Sequence, residues 1–171
     1  FEHIYFSRPD SVIDNQLVYD VRKRIGEELA KETYVESDMV VPVPDSGMVS
    51  ALGYANQSKI PFELGLTRSH YKGRTFIEPT QKIRDLGVKL KHSAMRLFKD
   101  KTVTVIDDSI VRGTTSKKII KMIRKAGAKK IHMRISSPPV TGSCHYGIDT
   151  PNRKELIAGE SNVNEIKEFI G

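Results

Sequence analysis

Two adjacent acids, Asp107 and Asp108, stand before a loop that is rich in hydroxyl groups and glycine. Four β-branched residues precede them at 103–106, a composition that favours a buried strand. After the loop, apolar residues recur at helical spacing and predict an amphipathic helix (Ile119, Met122, Ile123, Ala126). Open α/β sheets use this order to bind phosphate at the carboxyl edge of a strand, where loop amides and the helix dipole attract the anion. The two acids would repel a bare phosphate, so they indicate a ligand that also carries hydroxyl groups or a metal ion.

A second polar turn, Asp45-Ser46-Gly47, follows another predicted strand and opens another predicted helix. In a parallel sheet both turns lie at the same edge, so they can face one ligand. A matching ligand has a phosphate, vicinal hydroxyls and a second phosphate group held through a divalent cation. Mg²⁺ suits this arrangement because it shares itself between substrate oxygens and few protein ligands. In the alternative interpretation, Ser46 only caps its helix.

Strand and helix patterns alternate along the chain. Strands are predicted at 4–6, 38–44, 61–64, 103–106 and 129–135. Helices are predicted at 16–31, at 45–57, from the polar loop to 127, at 153–158 and at 162–170. The first helix is expected to be capped by one of three polar side chains (Asp10, Ser11, Asp14). This alternation predicts one α/β domain over 1–171, with an open, doubly wound parallel sheet and helices on both faces.

The segment 65–91 has little apolar pattern and carries many basic side chains (Arg68, His70, Lys72, Arg74, Lys82, Arg84, Lys89, Lys91). A long irregular segment inside a compact α/β domain is typical of a lid over an active site. The alternative is an ordinary solvated loop.

Composition narrows the function classes. The chain of 171 residues has 28 basic and 21 acidic residues, and its net charge of +7 favours anionic partners. No apolar run approaches the ~20 residues of a membrane helix, so no membrane association is expected. A single cysteine excludes an internal disulfide framework and favours a cytoplasmic location. Because the chain opens with Phe1 and enters a strand-like pattern at once, we expect it to be a segment of a longer protein.

Four motifs taken together resemble a known family. The stretch 105–115 resembles the phosphoribosylpyrophosphate (PRPP) signature of type I phosphoribosyltransferases. The stretches 41–47, 73–81 and 136–139 narrow the resemblance to the C-terminal domain of the glutamine PRPP amidotransferases. The similarity runs from Tyr5 to Pro151 and implies a type I phosphoribosyltransferase fold with a lid loop at about 65–91 and a helical tail at about 151–171.

The resemblance assigns roles to individual residues. Asp107 and Asp108 would hold the ribose hydroxyls of PRPP and, with Ser46, help to place Mg²⁺. The turn at Asp45, Ser46 and Gly47 would bind the pyrophosphate, often through an unusual peptide geometry. The 5-phosphate would lie in the loop that follows the acids (Ser109, Ile110, Val111, Arg112, Gly113, Thr114, Thr115). In the lid, Arg74 and Lys89 or Lys91 are candidate pyrophosphate contacts.

The implied reaction is the attack of ammonia on C1 of PRPP, which releases pyrophosphate and gives 5-phosphoribosylamine, the first step of purine nucleotide synthesis. It needs no protein nucleophile. In this family ammonia comes from glutamine in an N-terminal glutaminase domain, which this chain lacks, so the chain would at most use free ammonia. The family also implies a dimer or tetramer and purine nucleotides as feedback inhibitors.

Cys144 has two interpretations. It stands where some members of the family carry one ligand of a [4Fe–4S] cluster, whose other ligands would lie outside 1–171. Alternatively it is a buried bystander thiol. The five histidines show no metal-ligand spacing and are expected to have ordinary roles.

Two other functions compete. The first is a PRPP-sensing regulator on the same fold that binds nucleic acid, which the net charge leaves open. A basic run between Lys117 and Lys130 could serve it, but the pattern favours the solvated face of a helix, so nucleic acid is not the expected partner. The second is a receiver-type phosphoacceptor domain, which also places acids at a strand end. The Gly-Thr-Thr loop after the acids fits ligand phosphate better.

Overall fold

The computed structural model of the chain describes residues 1–68, 92–144 and 152–171. The strands are β1 (Val12–Ile13), β2 (Gln16–Leu17), β3 (Met39–Pro42), β4 (Leu66–Arg68), β5 (His92–Ala94), β6 (Thr102–Asp107) and β7 (Lys130–Ile135). The α-helices are α1 (Val18–Thr33), α2 (Met48–Ser58), α3 (Thr114–Lys125), α4 (Ile157–Glu160) and α5 (Val163–Ile170). Within the described ranges, every helix is too short or too polar to span a membrane.

Three parallel strands in the order β3-β6-β7 position the site. Met39 pairs with Val103 and Pro42 with Ile106, while Asp107 at the end of β6 pairs with Ile135 of β7. The central strand is buried from Val103 onward, as its β-branched composition predicts. The predicted parallel sheet is therefore confirmed.

Helices cover both faces of this sheet, which also confirms the prediction. On one face, Val103 and Val105 pack with Ile119 and Ile123 of α3. On the other, Ile106 belongs to a cluster with α1 and α2 residues that include Tyr54. Alternate residues of β6 point to opposite faces, so one strand serves both cores.

Helices α1 and α2 approach each other through glycine. A Cβ atom on Gly26 would lie 1.9 Å from the carbonyl oxygen of Ser50, and one on Gly53 would lie 2.0 Å from that of Lys23. The buried residues of α1 are accordingly Val18, Arg22, Gly26 and Ala30. Backbone contact therefore decided the orientation of α1.

The N-terminal predictions were partly wrong. Residues 4–6 are not a strand, because Glu2–Phe6 forms one turn of π-helix whose amides bond to the carbonyl of Phe1. A short antiparallel hairpin, β1–β2, precedes α1, and Asp14 and Asn15 form its turn with positive φ. No side chain caps α1; instead the amide of Val18 donates to the carbonyl of Ser11. The predicted caps failed because Asp10 pairs with Arg8, Asp14 lies in the hairpin turn, and Ser11 contacts the helix through its carbonyl rather than its hydroxyl.

The strand predicted at 61–64 and the start of the predicted lid also differ from the structure. Residues 61–64 contribute only an isolated bridge from Phe62 to Val40. The predicted lid begins with ordered structure, since β4 pairs antiparallel with β5, and the rest of it, 69–91, lies outside the described residues. The helical tail is present as a 3₁₀ turn (Arg153–Glu155) followed by α4 and α5.

Candidate active site

The two acids sit at the carboxyl end of the central strand with a fixed backbone. The amide of Asp108 donates to Oδ1 of Asp107 at 2.9 Å. The amides of Ser136 and Ser137, just after β7, donate to the carbonyls of Asp107 (3.0 Å) and Asp108 (2.9 Å). Both acids are buried, with 6% and 5% exposure. Parallel pairing therefore places the carboxylates of Asp107 and Asp108 together at the carboxyl edge of the sheet.

Burial makes these carboxylates costly to ionise. The pKa of Asp107 is raised well above its usual value, first by burial and then by the charge of Asp108. Burial also raises the pKa of Asp108, against the opposing influence of the Ser46 and Ser109 hydroxyls and the Arg22 charge. Oδ2 of Asp108 is buried without a hydrogen-bond partner of regular geometry among the described residues, the nearby Ser46 included. A hydroxyl donor or a cation would satisfy that oxygen.

The first turn comes close to the acids from β3. The amide of Val43 donates to the carbonyl of Ile106 at 2.8 Å, and the peptide bond between Pro44 and Asp45 is cis. A Cβ atom on Gly47 would lie 2.6 Å from the oxygen of Ile106, so only glycine fits between the turn and β6. Gly47 starts α2 and no side chain caps that helix, which is against the interpretation of Ser46 as a cap. Its hydroxyl instead lies beside Asp108.

The second turn, which follows the two acids, leads into the N-terminus of α3. Ser109 donates from Oγ to Oδ1 of Asp108 at 2.8 Å. Gly113 adopts φ 72° and begins α3 without a side-chain cap, while Thr114 and Thr115 are exposed. The first amides of an α-helix have no partner inside the helix, so they can bind an anion here.

The structure brings together most of the predicted site residues of the two turns. The hydroxyls of Ser46 and Ser109 both lie beside the carboxylate of Asp108. Ile110 and Val111 are half-buried, and the Arg112 side chain bonds to Glu155 at 3.0 Å. The lid candidates Arg74, Lys89 and Lys91 lie outside the described residues.

All of the metal ligation, including that by Asp107, Asp108 and Ser46, remains a prediction. Cys144 is half-buried, and its role as a cluster ligand is untested. Across the described ranges, no group of three or more His, Cys, Asp or Glu residues could hold a metal ion. A site for Mg²⁺ with few protein ligands does not require such a group.

Sequence reasoning missed three residues at the site. Arg22 of α1 is 4% exposed, and its charge lowers the pKa of Asp108, against the larger effect of burial. Its guanidinium donates to the carbonyls of His3 and Ser7 at 2.7 Å each. Arg68 forms an ion pair with Asp45 at 2.6 Å. Ser137 has a buried hydroxyl without a hydrogen-bond partner among the described residues. Arg68 was predicted only as a basic residue of the lid, and Ser137 lies in the motif at 136–139 that follows a strand of the same sheet, whereas Arg22 had no sequence signal.

Known proteins are similar to this chain in sequence. Residues 10–136 match the family model described as "Phosphoribosyl transferase domain". The chain is 60% identical over 172 residues to amidophosphoribosyltransferase 1, chloroplastic, of Arabidopsis thaliana, covering 100% of the chain and 30% of that protein. It is 53% identical over 171 residues to the amidophosphoribosyltransferase of Bacillus subtilis, covering 99% of the chain and 36% of the relative.

A solved structure is also similar to this chain. The glutamine PRPP amidotransferase of B. subtilis in complex with ADP and GMP superposes with a TM-score of 0.89 at 53% identity, over 99% of this chain and 38% of that one. The chain thus spans about a third of the length of the relatives it matches.

Proposed function

The chain belongs to the phosphoribosyl transferase domain family, and from that premise we propose that it transfers the phosphoribosyl group of PRPP to ammonia. The products are 5-phosphoribosylamine and pyrophosphate. The observation that carries this proposal is the pair of buried carboxylates between two Gly-containing turns, with Oδ2 of Asp108 unpartnered among the described residues. The enzyme names of the relatives support the same reaction.

Each part of PRPP has a counterpart at the site. The ribose hydroxyls donate to the carboxylates of Asp107 and Asp108, which relieves the cost of their burial. The 5-phosphate accepts from the amides of the loop at 109–115 and from the exposed hydroxyls of Thr114 and Thr115. The pyrophosphate lies against the turn at 45–47, and the absence of a Cβ on Gly47 lets that turn pack directly on β6, next to the two acids.

The donor set fits Mg²⁺. Carboxylate and hydroxyl oxygens from Asp107, Asp108 and Ser46 are hard ligands, and the unpartnered Oδ2 of Asp108 is a buried acceptor that a cation satisfies. Bound Mg²⁺ supplies charge neutralisation of the leaving pyrophosphate. We propose these three residues as its protein ligands.

The residues of the chain act by positioning and electrostatics. As ammonia forms a bond to C1, the bond from C1 to the pyrophosphate oxygen breaks, and positive charge develops on the ribose; the new ammonium nitrogen then gives up one proton to solvent or to the pyrophosphate. The carboxylates of Asp107 and Asp108 stabilise that charge, while the backbone amides of Asp45 and Ser46 stabilise the departing anion. No protein nucleophile is required, since ammonia attacks a substrate that is held in reacting geometry.

Further proposals concern the intact protein. In the intact protein, ammonia would come from glutamine, and the product would enter purine synthesis. The B. subtilis relative was solved with ADP and GMP, which supports purine nucleotides as regulators. Homo-oligomer formation, the [4Fe–4S] ligand role of Cys144 and a cytoplasmic location remain proposals, and the plant relative is named chloroplastic. The nucleic-acid-binding alternative gains no support from these relatives.

The test is pyrophosphate release from PRPP by the 171-residue chain at saturating ammonia and Mg²⁺. We expect release by the wild-type chain and none by the double variant Asp107→Asn, Asp108→Asn. Asp38→Asn, at the opposite end of the same sheet, is the matched control and should retain activity. A wild-type chain that binds PRPP but releases no pyrophosphate would refute the transferase and favour a sensor.

A further inference from the structure

The C-terminal tail, residues 152–171, packs directly against the phosphate loop, residues 109–115. Three successive loop residues each have a tail partner. The carbonyl of Val111 accepts from the amide of Ile157 at 2.9 Å. Arg112 donates from Nε (3.2 Å) and Nη2 (3.0 Å) to Oε2 of Glu155.

The third contact is apolar and involves two tail helices. A Cβ atom on Gly113 would lie 2.9 Å from Cδ1 of Ile157 and 3.1 Å from Cε1 of Phe169. These side chains therefore border the residue whose left-handed conformation, with φ 72°, turns the loop into α3. No other part of the described chain offers closer contacts to this point.

The tail is itself held in place, so it can transmit rigidity. Leu156 is 1% exposed, and Asn162 forms a capping box with Glu165 at the start of α5. Lys117 of α3 places Nζ 4.3 Å from the centre of the Phe169 ring. Phe169 thus touches both the loop and the helix that the loop starts.

We propose that Ile157 and Phe169 are positioning residues that hold the phosphate loop in its binding conformation before the ligand arrives. This inference rests on the proposed function, because it assigns the loop to the 5-phosphate. The loop contains a glycine and exposed polar residues, so its own contacts give it little rigidity. An outside support reduces the ordering cost of binding.

Removing the support lowers the fraction of chains whose loop is competent. The apparent Kd is the intrinsic Kd divided by that fraction, so a competent fraction of about 0.1–0.3 raises Kd roughly three- to ten-fold. Among the described residues, the backbone hydrogen bonds and the ion pair of the turn at 45–47 go to Val43, α2 and Arg68 rather than to the tail, so the pyrophosphate half of the site should be unaffected.

The test compares two ligands that use different halves of the site. Ribose 5-phosphate and Mg²⁺-pyrophosphate are titrated calorimetrically into the wild-type chain, Ile157→Ala and Phe169→Ala. We expect Kd for ribose 5-phosphate to rise about three- to ten-fold in each variant, with Kd for Mg²⁺-pyrophosphate unchanged. Val163→Ala, on the same helix α5 and 68% exposed, is the matched control and should change neither. Phe169→Leu should recover part of the lost affinity.

The outcomes separate this inference from the proposed function. A wild-type chain that binds neither ligand nor PRPP would refute the proposed function and this inference with it. Wild-type binding with unchanged ribose 5-phosphate affinity in both variants would overturn the positioning role alone. Equal weakening of both ligands would also overturn it, because it would indicate a general loss of structure.

Discussion

Replacing Asp107 by asparagine removes a buried charge and keeps an oxygen that can accept from the amide of Asp108. In the ligand-free chain this carboxyl is costly to ionise, because burial and the charge of Asp108 raise its pKa well above its usual value of about 3.8. Asp107→Asn should therefore stabilise the ligand-free chain at neutral pH. The same change should weaken PRPP binding.

The sign of the stability change follows from proton binding. Between the usual pKa of about 3.8 and the raised pKa, the folded chain binds more protons than the unfolded chain, so the free energy of unfolding of the wild type falls as pH rises. The loss is at most about 1.4 kcal/mol per pH unit in that window. Asparagine does not ionise, so the advantage of the variant is near zero below this window, grows with pH within it and is constant above it.

The binding loss can be estimated from the hydrogen bond. A hydrogen bond from a ribose hydroxyl to a charged group contributes about 1.5–3 kcal/mol, which corresponds to a roughly 10- to 150-fold increase in the Kd for PRPP. A variant that is more stable and binds less well identifies Asp107 as a site residue that costs stability.

Urea denaturation at a series of pH values, in the presence of EDTA, measures the stability difference. Calorimetric titration with PRPP and Mg²⁺ measures the binding. Asp38→Asn is the matched control with the opposite sign, since the Thr102 amide and then Lys101 lower the pKa of Asp38. It should be less stable than wild type at neutral pH, with a deficit that shrinks below the usual pKa and vanishes as the pH falls through the lowered pKa. An Asp107→Asn chain that is less stable at pH 8, or whose difference does not vary with pH, would refute this reasoning.

Three further predictions concern packing, an unpartnered hydroxyl and the metal. Gly53→Ala should lower the free energy of unfolding by about 1–3 kcal/mol in urea, because its Cβ would meet the carbonyl of Lys23 at 2.0 Å, and Gly142→Ala is the control because its Cβ meets no described atom within 4 Å. Ser137→Ala should leave the ligand-free chain equally or more stable by thermal denaturation, because a buried unsatisfied polar group costs about 1–3 kcal/mol; a clear destabilisation would mean that the hydroxyl has a partner. EDTA should abolish pyrophosphate release and Mg²⁺ should restore it; turnover that is equal in EDTA would exclude the metal from the reaction.

Much of the fold could be predicted because its signals are local. The β-branched run before Asp107 and the helical spacing after Gly113 depend on neighbours within a few positions, and the structure has a strand and a helix there. Strand-helix alternation then predicts parallel pairing, since a parallel connection needs a crossover. For the candidate site, the sequence identified two acids and two turns, and their shared sheet edge follows from that topology.

What only the tertiary structure decided depends on contacts between distant residues. Arg22 has a polar partner in the N-terminal turn and lies near Asp108, and no periodicity predicts an arginine on a buried stripe. The predicted caps of α1 are absent, since the backbone carbonyls of Pro9 and Ser11 accept from its first amides after the hairpin reverses the chain. The approach of the tail to Gly113 likewise needs the packing of α5 on α3. Local composition determines which elements form and which chemistry they carry, while side-chain packing over long chain separations determines which residues support that chemistry.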